Sequence, residues 1–257
     1  MGERSRRILV VGEVCNDIFV YGSASRLCPD VPAPVFKAFS EVCTKGMAGN
    51  TKSNLESLGH SVDILNQQNK ITKTRFVDDK LNYTFLRVDD GESFGVDAMP
   101  HDLISDEEIS KYEAVVISDY GKGFLTESCI KRFCENNPNT FIDTKKCIGD
   151  WCKDAAFIKI NTPEYEAIKD SINLADWEGK LIVTRGSSGC MIFRNGGFDH
   201  FDVDKVDVFD LSGAGDSFLA ALVSKFLDTR DVDESIKYAN QKASEIVQQR
   251  GVNVITK

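Results

Sequence analysis

Short runs of consecutive apolar residues alternate along this chain with longer stretches in which apolar positions recur every three or four residues. Ile8-Leu9-Val10-Val11, closed by Gly12, is a β-branched run suited to a strand buried on both faces, and Ala114-Val115-Val116-Ile117-Ser118 and Leu181-Ile182-Val183-Thr184 repeat it. Each run ends in polar or glycine-rich residues. Between and after them, helical spacing predicts helices over about 50–58, 126–135, 213–227 and 233–249. Strands alternating with helices imply an α/β fold: three layers, with a mostly parallel central sheet and helices on both faces. In such sheets ligands bind beyond the carboxyl ends of the strands.

Two segments break the rhythm. Residues 19–39, with prolines at 29, 32 and 34, and residues 72–88, with Thr74, Phe76, Tyr83, Phe85 and Leu86, read as exposed β-ribbons, expected to form a small lid over the site. No internal repeat, low-complexity tract or flexible linker divides the chain, so residues 1–257 are expected to form one domain carrying the lid segments.

Composition narrows the chemistry. A chain of 257 residues with 42% hydrophobic and 28% charged residues can bury a full core and has the balance of a soluble globular protein. Its formal net charge of −9, from 40 acids against 31 bases, argues against a nucleic-acid partner, and an anionic substrate would need a local basic pocket. The eight cysteines include no Cys-x-x-Cys pair, and none of the three histidines, at 60, 101 and 200, lies beside one, so a zinc site is not expected. With no apolar secretory segment after Met1-Gly2-Glu3-Arg4, free thiols in a reducing cytoplasm are the expectation, and no membrane association.

The stretch Asp210-Leu211-Ser212-Gly213-Ala214-Gly215-Asp216-Ser217 carries the strongest chemical signal. Gly213 and Gly215 let backbone N–H groups point at an anion, and the following helix adds a positive dipole end. Asp216 at that mouth reads either as a helix N-cap or as a base that takes a proton from an attacking hydroxyl while the amides of Gly213, Ala214 and Gly215 hold a transferring phosphoryl group.

This run resembles the Asp-Thr-x-Gly-Ala-Gly-Asp signature of the ribokinase-like (phosphofructokinase B-type) carbohydrate kinases, with Leu211 and Ser212 at the tolerant positions. Residues 10–35 are similar to the opening of D-glycero-β-D-manno-heptose 7-phosphate kinases, with Asp17, Tyr21-Gly22, Ser25-Arg26, Pro29-Asp30 and Pro32-x-Pro34-Val35 at matching spacings. The resemblance implies a ribokinase-like fold and transfer of the γ-phosphoryl group of ATP to a sugar hydroxyl. The favoured acceptor is the anomeric hydroxyl of the heptose 7-phosphate. The alternatives are a kinase of another sugar and an inactive sugar-phosphate binder.

The same resemblance assigns roles by position. Asp17 would accept hydrogen bonds from sugar hydroxyls, and Gly46 and Asn50, in "KGMAGNTKSNLESLG", would approach the sugar, with Met47 replacing the family's second glycine. "SDYGKG" and "FIDTKK" would bring Asp119, Lys122, Asp143 and Lys145 around acceptor and phosphates. Arg26, Lys122, Lys145 or Arg75 would meet the 7-phosphate. Asn161 and Glu164, in "KINTPEYEA", would organise hydrated magnesium and the triphosphate, or simply cap a short helix. Thr184, Arg185, Gly186 and Gly189 of "TRGSSG" would form the nucleotide loop, Asn240 would line the adenine pocket, and Asp210 would help hold a monovalent cation such as potassium. Two departures stand out: Glu13 replaces the family's Asp after Gly12, and a helical unit is missing after about residue 68. A homodimer through the lid is expected from its unpaired strand edges.

Overall fold

A computed structural model of the chain describes residues 5–92 and 95–256; Met1–Arg4, on which the expectation of no secretory segment rests, lie outside them. The chain opens with β1 (Arg7–Gly12), passes into the long strands β2 (Val14–Leu27) and β3 (Pro34–Met47), and returns through α1 (Ala48–Ser57) to β4 (Ser61–Leu65). Next come β5 (Ile71–Asp78), β6 (Thr84–Asp90), α2 (Asp106–Ser110), β7 (Ala114–Asp119), α3 (Glu127–Asn136) and β8 (Thr140–Thr144). The last third holds β9 (Phe157–Asn161), α4 (Thr162–Ile168), β10 (Leu181–Thr184), β11 (Cys190–Arg194), β12 (Gly197–Phe201), α5 (Ala214–Thr229) and α6 (Val232–Val247).

The main sheet runs β12-β11-β10-β9-β8-β7-β1-β4. Its strands are parallel from β4 through β10, and β11 and β12 extend it as an antiparallel hairpin. The all-apolar strands serve two cores by simple alternation. Leu9, Val11, Val115, Ile117, Ile142, Ile158, Leu181 and Val183 face a core that includes Ile109, Ile130, Phe133 and Ile168 of α2, α3 and α4. Ile8, Val10, Ala114, Val116, Phe141, Phe157 and Ile182 face Leu55 of α1 and the apolar residues of α5 and α6. Because both faces are covered, the strands lack the polar alternation of a half-exposed sheet. The expected three-layer architecture is the one observed.

The second sheet has the order β3-β2-β5-β6 and is the lid. Its strands reach further than the predicted ribbons, from Val14 to Met47 and from Ile71 to Asp90, and only Glu13 separates β2 from the end of β1. Those long strands carry Asp17 and Gly46 inward to the mouth of the main sheet. β4 is the last strand of the main sheet, and only residues 66–70 separate it from β5 of the lid. No sheet or helix lies between them, where the missing unit is expected.

Behind the site, the Phe141 ring packs 5.9 Å from both Phe157 and Phe226, which themselves meet edge-on at 4.8 Å. Truncating the fully buried Phe141 to alanine is expected to cost about 3–5 kcal/mol, read as a lowered midpoint in urea unfolding. A loss below about 1 kcal/mol would show that the α5 face is not packed as described.

Candidate active site

The site lies at the carboxyl ends of β1 and β7–β10, where β1 is flanked by β4 on one side and β7 on the other, so the chain leaves in opposite directions. Two adjoining cavities open there. One, of about 530 Å³, is lined by Lys159, Asn161, Thr184, Arg185, Gly186 and Gly215, among others. The second, of about 340 Å³, is lined by Asp17, Gly46, Asn50, Lys73, Arg75 and Asp216, among others. Tyr120 and Lys145 border both. The glycine turn is the partition: Gly215 faces the larger cavity and Gly213 the smaller.

Asp216 sits in the first turn of α5 but does not cap it; the N-cap is Gly213, at φ 81°, and no side chain bonds the free amides there. The cap reading of Asp216 is therefore replaced by another arrangement. Its carboxylate is 4% exposed and accepts hydrogen bonds from the Tyr120 hydroxyl at 2.7 Å and the Asn50 amide at 3.0 Å. Burial pushes its pKa up to about 6; the bonds from Asn50 and Tyr120 pull it down, Asp143 pushes it up and Lys159 pulls it down. Asp216 thus stays ionised at neutral pH and lies close to a working base's range. Burial, followed by the charges of Asp216 and Asp143, lifts the Tyr120 phenol well above its ordinary value, so it remains a protonated donor.

Other parts of the site hold these partners still. Asn50 lies inside the first turn of α1, whose N-cap is Met47, so its side chain is free of capping duty. Instead its amide oxygen accepts from Asn54 at 3.0 Å while its NH₂ holds Asp216. A Cβ on Gly213 would fall 2.6 Å from that NH₂, so the glycine is required by contact as well as by φ. Met47 adopts φ 57°, which strains any residue but glycine, and it lines the smaller cavity. Glu13 is fully buried and accepts from the amides of Tyr120, Lys122 and Phe124 at 2.9–3.2 Å, so the longer acid anchors the loop that presents Tyr120.

The smaller cavity is basic. Arg75 donates to Asp17 at 2.6 Å, while Lys73 and Lys122 both pair with Glu92. Arg87 lines the same wall, held by Asp89 at 2.7 Å. Asn161, which lines the larger cavity, forms a reciprocal capping box with Glu164, accepting from the Glu164 amide at 2.9 Å while Glu164 accepts from the Asn161 amide at 2.7 Å. Capping and a place beside the larger cavity coexist for Asn161. Glu164 also pairs with Lys145.

Five expectations need correction. Asp119 lines neither cavity: it is buried, bound by Lys146 at 2.7 Å and by Thr144 and the Gly121 amide, and fixes the ends of β7 and β8. Arg26 lies exposed near the far end of β2, where it donates to the Leu27 carbonyl, because the lid carries it away from the cavities. Asn240 is buried and donates to the Phe201 carbonyl at 3.0 Å, tying α6 to β12, and lines neither of the two cavities. Gly189, at φ 73°, closes the turn against the Phe201 backbone and lines neither cavity. The Ala214 amide is turned back onto the Leu211 carbonyl at 3.3 Å. Asp210 accepts from the amides of Ser212 and Gly251 at 2.8 and 3.2 Å.

The site contains residues that motif reading passed over. Tyr120 stands in "SDYGKG" and Lys159 opens "KINTPEYEA", strings read for their acids and amides. A lysine inside the apolar run Phe157-Ile158-Lys159-Ile160 is the available signal, since a strand buried on both faces admits a charge only with a partner.

A profile of the pfkB family carbohydrate kinases matches residues 52–257. The bifunctional protein HldE of Actinobacillus pleuropneumoniae serotype 5b (strain L20) is 28% identical over 301 residues, covering 97% of this chain and 62% of its own length. That alignment is longer than the 257 residues of this chain, so the relative carries segments that this chain lacks. The ribokinase of Thermotoga maritima superposes with a TM-score of 0.69 at 18% identity, over 96% of this chain and 94% of its own. Phosphofructokinase-2 of Escherichia coli does so with a TM-score of 0.73 at 12% identity, over 98% and 96%. The fold is ribokinase-like, and the chain belongs to the pfkB family of carbohydrate kinases.

Replacing Tyr120 with phenylalanine removes a donor that holds the Asp216 carboxylate down. Hydrogen bonds to charged groups contribute about 1.5–3 kcal/mol, so the acidic limb of kcat/KM should move up by about one pH unit or more. A limb that stays in place would show that Tyr120 does not bear on the base.

Proposed function

We propose that this chain transfers the γ-phosphoryl group of ATP to a hydroxyl of a phosphorylated sugar, with Asp216 as the general base. The carrying observation is the partition of the site: the glycine turn separates a nucleotide-sized cavity from a basic one, and the buried carboxylate faces the basic one. ATP occupies the larger cavity, along Thr184, Arg185 and Gly186. The acceptor occupies the smaller, its hydroxyls on Asp17 and its anionic group among Lys73, Arg75, Arg87 and Lys122.

The acceptor oxygen attacks the γ-phosphorus, the bond to the β,γ-bridging oxygen breaks, and ADP departs. Asp216 takes the hydroxyl proton, and the amides of Gly213 and Gly215 face the charge on the transferring group. Among the described residues no group of three or more His, Cys, Asp or Glu side chains is placed to ligate a metal. Asn161 and Glu164 would hold magnesium through the ion's own water, and the ion would neutralise phosphate charge when bound. A potassium site at Asp210 has support in the Escherichia coli phosphofructokinase-2, whose structure contains potassium.

The acceptor we favour is D-glycero-β-D-manno-heptose 7-phosphate, phosphorylated on its anomeric oxygen to the 1,7-bisphosphate, on the strength of the N-terminal resemblance and the basic wall. The whole forms one kinase domain under its lid. Exposed Phe39, Val42, Leu86 and Val88 on the lid sheet support a homodimer formed there, which a monomeric mass by light scattering at all concentrations would rule out.

A panel of sugars and their terminal phosphates, assayed with ATP and magnesium, tests the reading. Turnover with the heptose 7-phosphate and a phosphorus NMR signal for an anomeric phosphate are expected, with at least tenfold lower kcat/KM for the unphosphorylated sugar. Preference for an uncharged sugar would overturn the phosphorylated acceptor.

A further inference from the structure

Lys159 is the most deeply placed charge in the larger cavity. It lies on β9, in register with Asp143 of the adjoining parallel strand β8, and both line the larger cavity together with Gly215 at the start of α5. Its ammonium is 2.6 Å from the Asp143 carboxylate, with Lys159 4% and Asp143 7% exposed. Burial alone would pull the lysine's pKa down, but Asp143, with Asp216 and Glu164 behind it, more than offsets that and leaves it raised, so the lysine is a cation. A Cβ on Gly215 would stand 3.0 Å from the Lys159 Nζ. The glycine therefore gives the ammonium its room against the turn.

A buried ion pair is weak evidence for stability, since apolar residues of similar volume usually serve the fold as well. This pair borders open space rather than core. It lies on the nucleotide side of the turn, with Asp216 on the acceptor side, where charge develops on a phosphoryl group passing between them. We propose that Lys159 is a further catalytic residue, the resident cation that contacts the transferring phosphoryl group, and that Asp143 is the positioning residue that holds it beneath Gly215. This rests on the phosphoryl-transfer reading above. The step gains no bond from the lysine: its N–H groups donate to phosphoryl oxygens, most strongly as the γ-phosphorus leaves ADP for the acceptor oxygen.

The test is the double variant Lys159→Met/Asp143→Leu, which replaces the pair with apolar side chains. The fold should tolerate it, with a Tm at or above that of the wild type and ADP affinity within about threefold. Turnover should fall about 10²- to 10³-fold in kcat, with the acceptor KM little changed. A kcat within about threefold of the wild type would reduce the pair to a structural contact and overturn the proposal. Should the double variant not accumulate as folded protein, Lys159→Gln, which keeps a hydrogen bond to Asp143, takes its place with the same expected losses. Should the wild type turn over no sugar at all, the kinase reading fails first, and nucleotide binding then decides the lysine separately. The wild type should bind a non-hydrolysable ATP analogue more tightly than ADP. Loss of that margin in the variant supports contact with the terminal phosphate, and an unchanged margin refutes it.

Discussion

Three parts of the chain must meet within hydrogen-bond distance to hold one buried carboxylate. Asp216 opens α5, Asn50 belongs to α1, and Tyr120 follows β7, yet they converge at 2.7–3.0 Å. Lifting this carboxyl from the ordinary 3.8 to about 6 costs roughly 3 kcal/mol of folding free energy at neutral pH. The folded protein holds this proton more tightly, so the contribution of this carboxyl to stability is most favourable below the ordinary pKa and is lost as pH rises through about 6. Two packed cores on opposite faces of the sheet absorb that cost, and the glycine at 213 makes the approach sterically feasible.

The charge layout follows the same logic on a larger scale. An acidic protein, at −9, gathers Lys73, Arg75, Arg87, Lys122 and Lys145 around one cavity. Each is held by an acid, through Glu92, Asp17, Asp89 or Glu164. These pairs do not make the wall neutral in use. They fix where cations stand before an anion arrives, so less side-chain freedom is lost on binding.

Much of this was legible in the residues themselves. Uninterrupted β-branched runs marked buried parallel strands, and the start of α5 followed from its glycine turn. The fate of individual polar residues was not legible, because a strand end presents neighbouring residues in opposite directions. Asp119 turns to Lys146 and the buried end of β8, whereas Tyr120, one residue on, reaches Asp216. Arg26 matched a family string, but the length of β2 carries it away from the cavities. Lys159 and Glu13 show the opposite case: each is a charge in an apolar setting, and only the three-dimensional partner reveals what it holds.

The most direct measurement is acceptor-dependent ADP release by the wild type and by Asp216→Asn, alongside nucleotide and sugar-phosphate binding to both. Binding should survive within a few-fold while turnover falls by about 10²-fold or more, the loss expected of a missing general base. Turnover at the wild-type rate in the Asp216→Asn variant, with binding intact, would contradict that role.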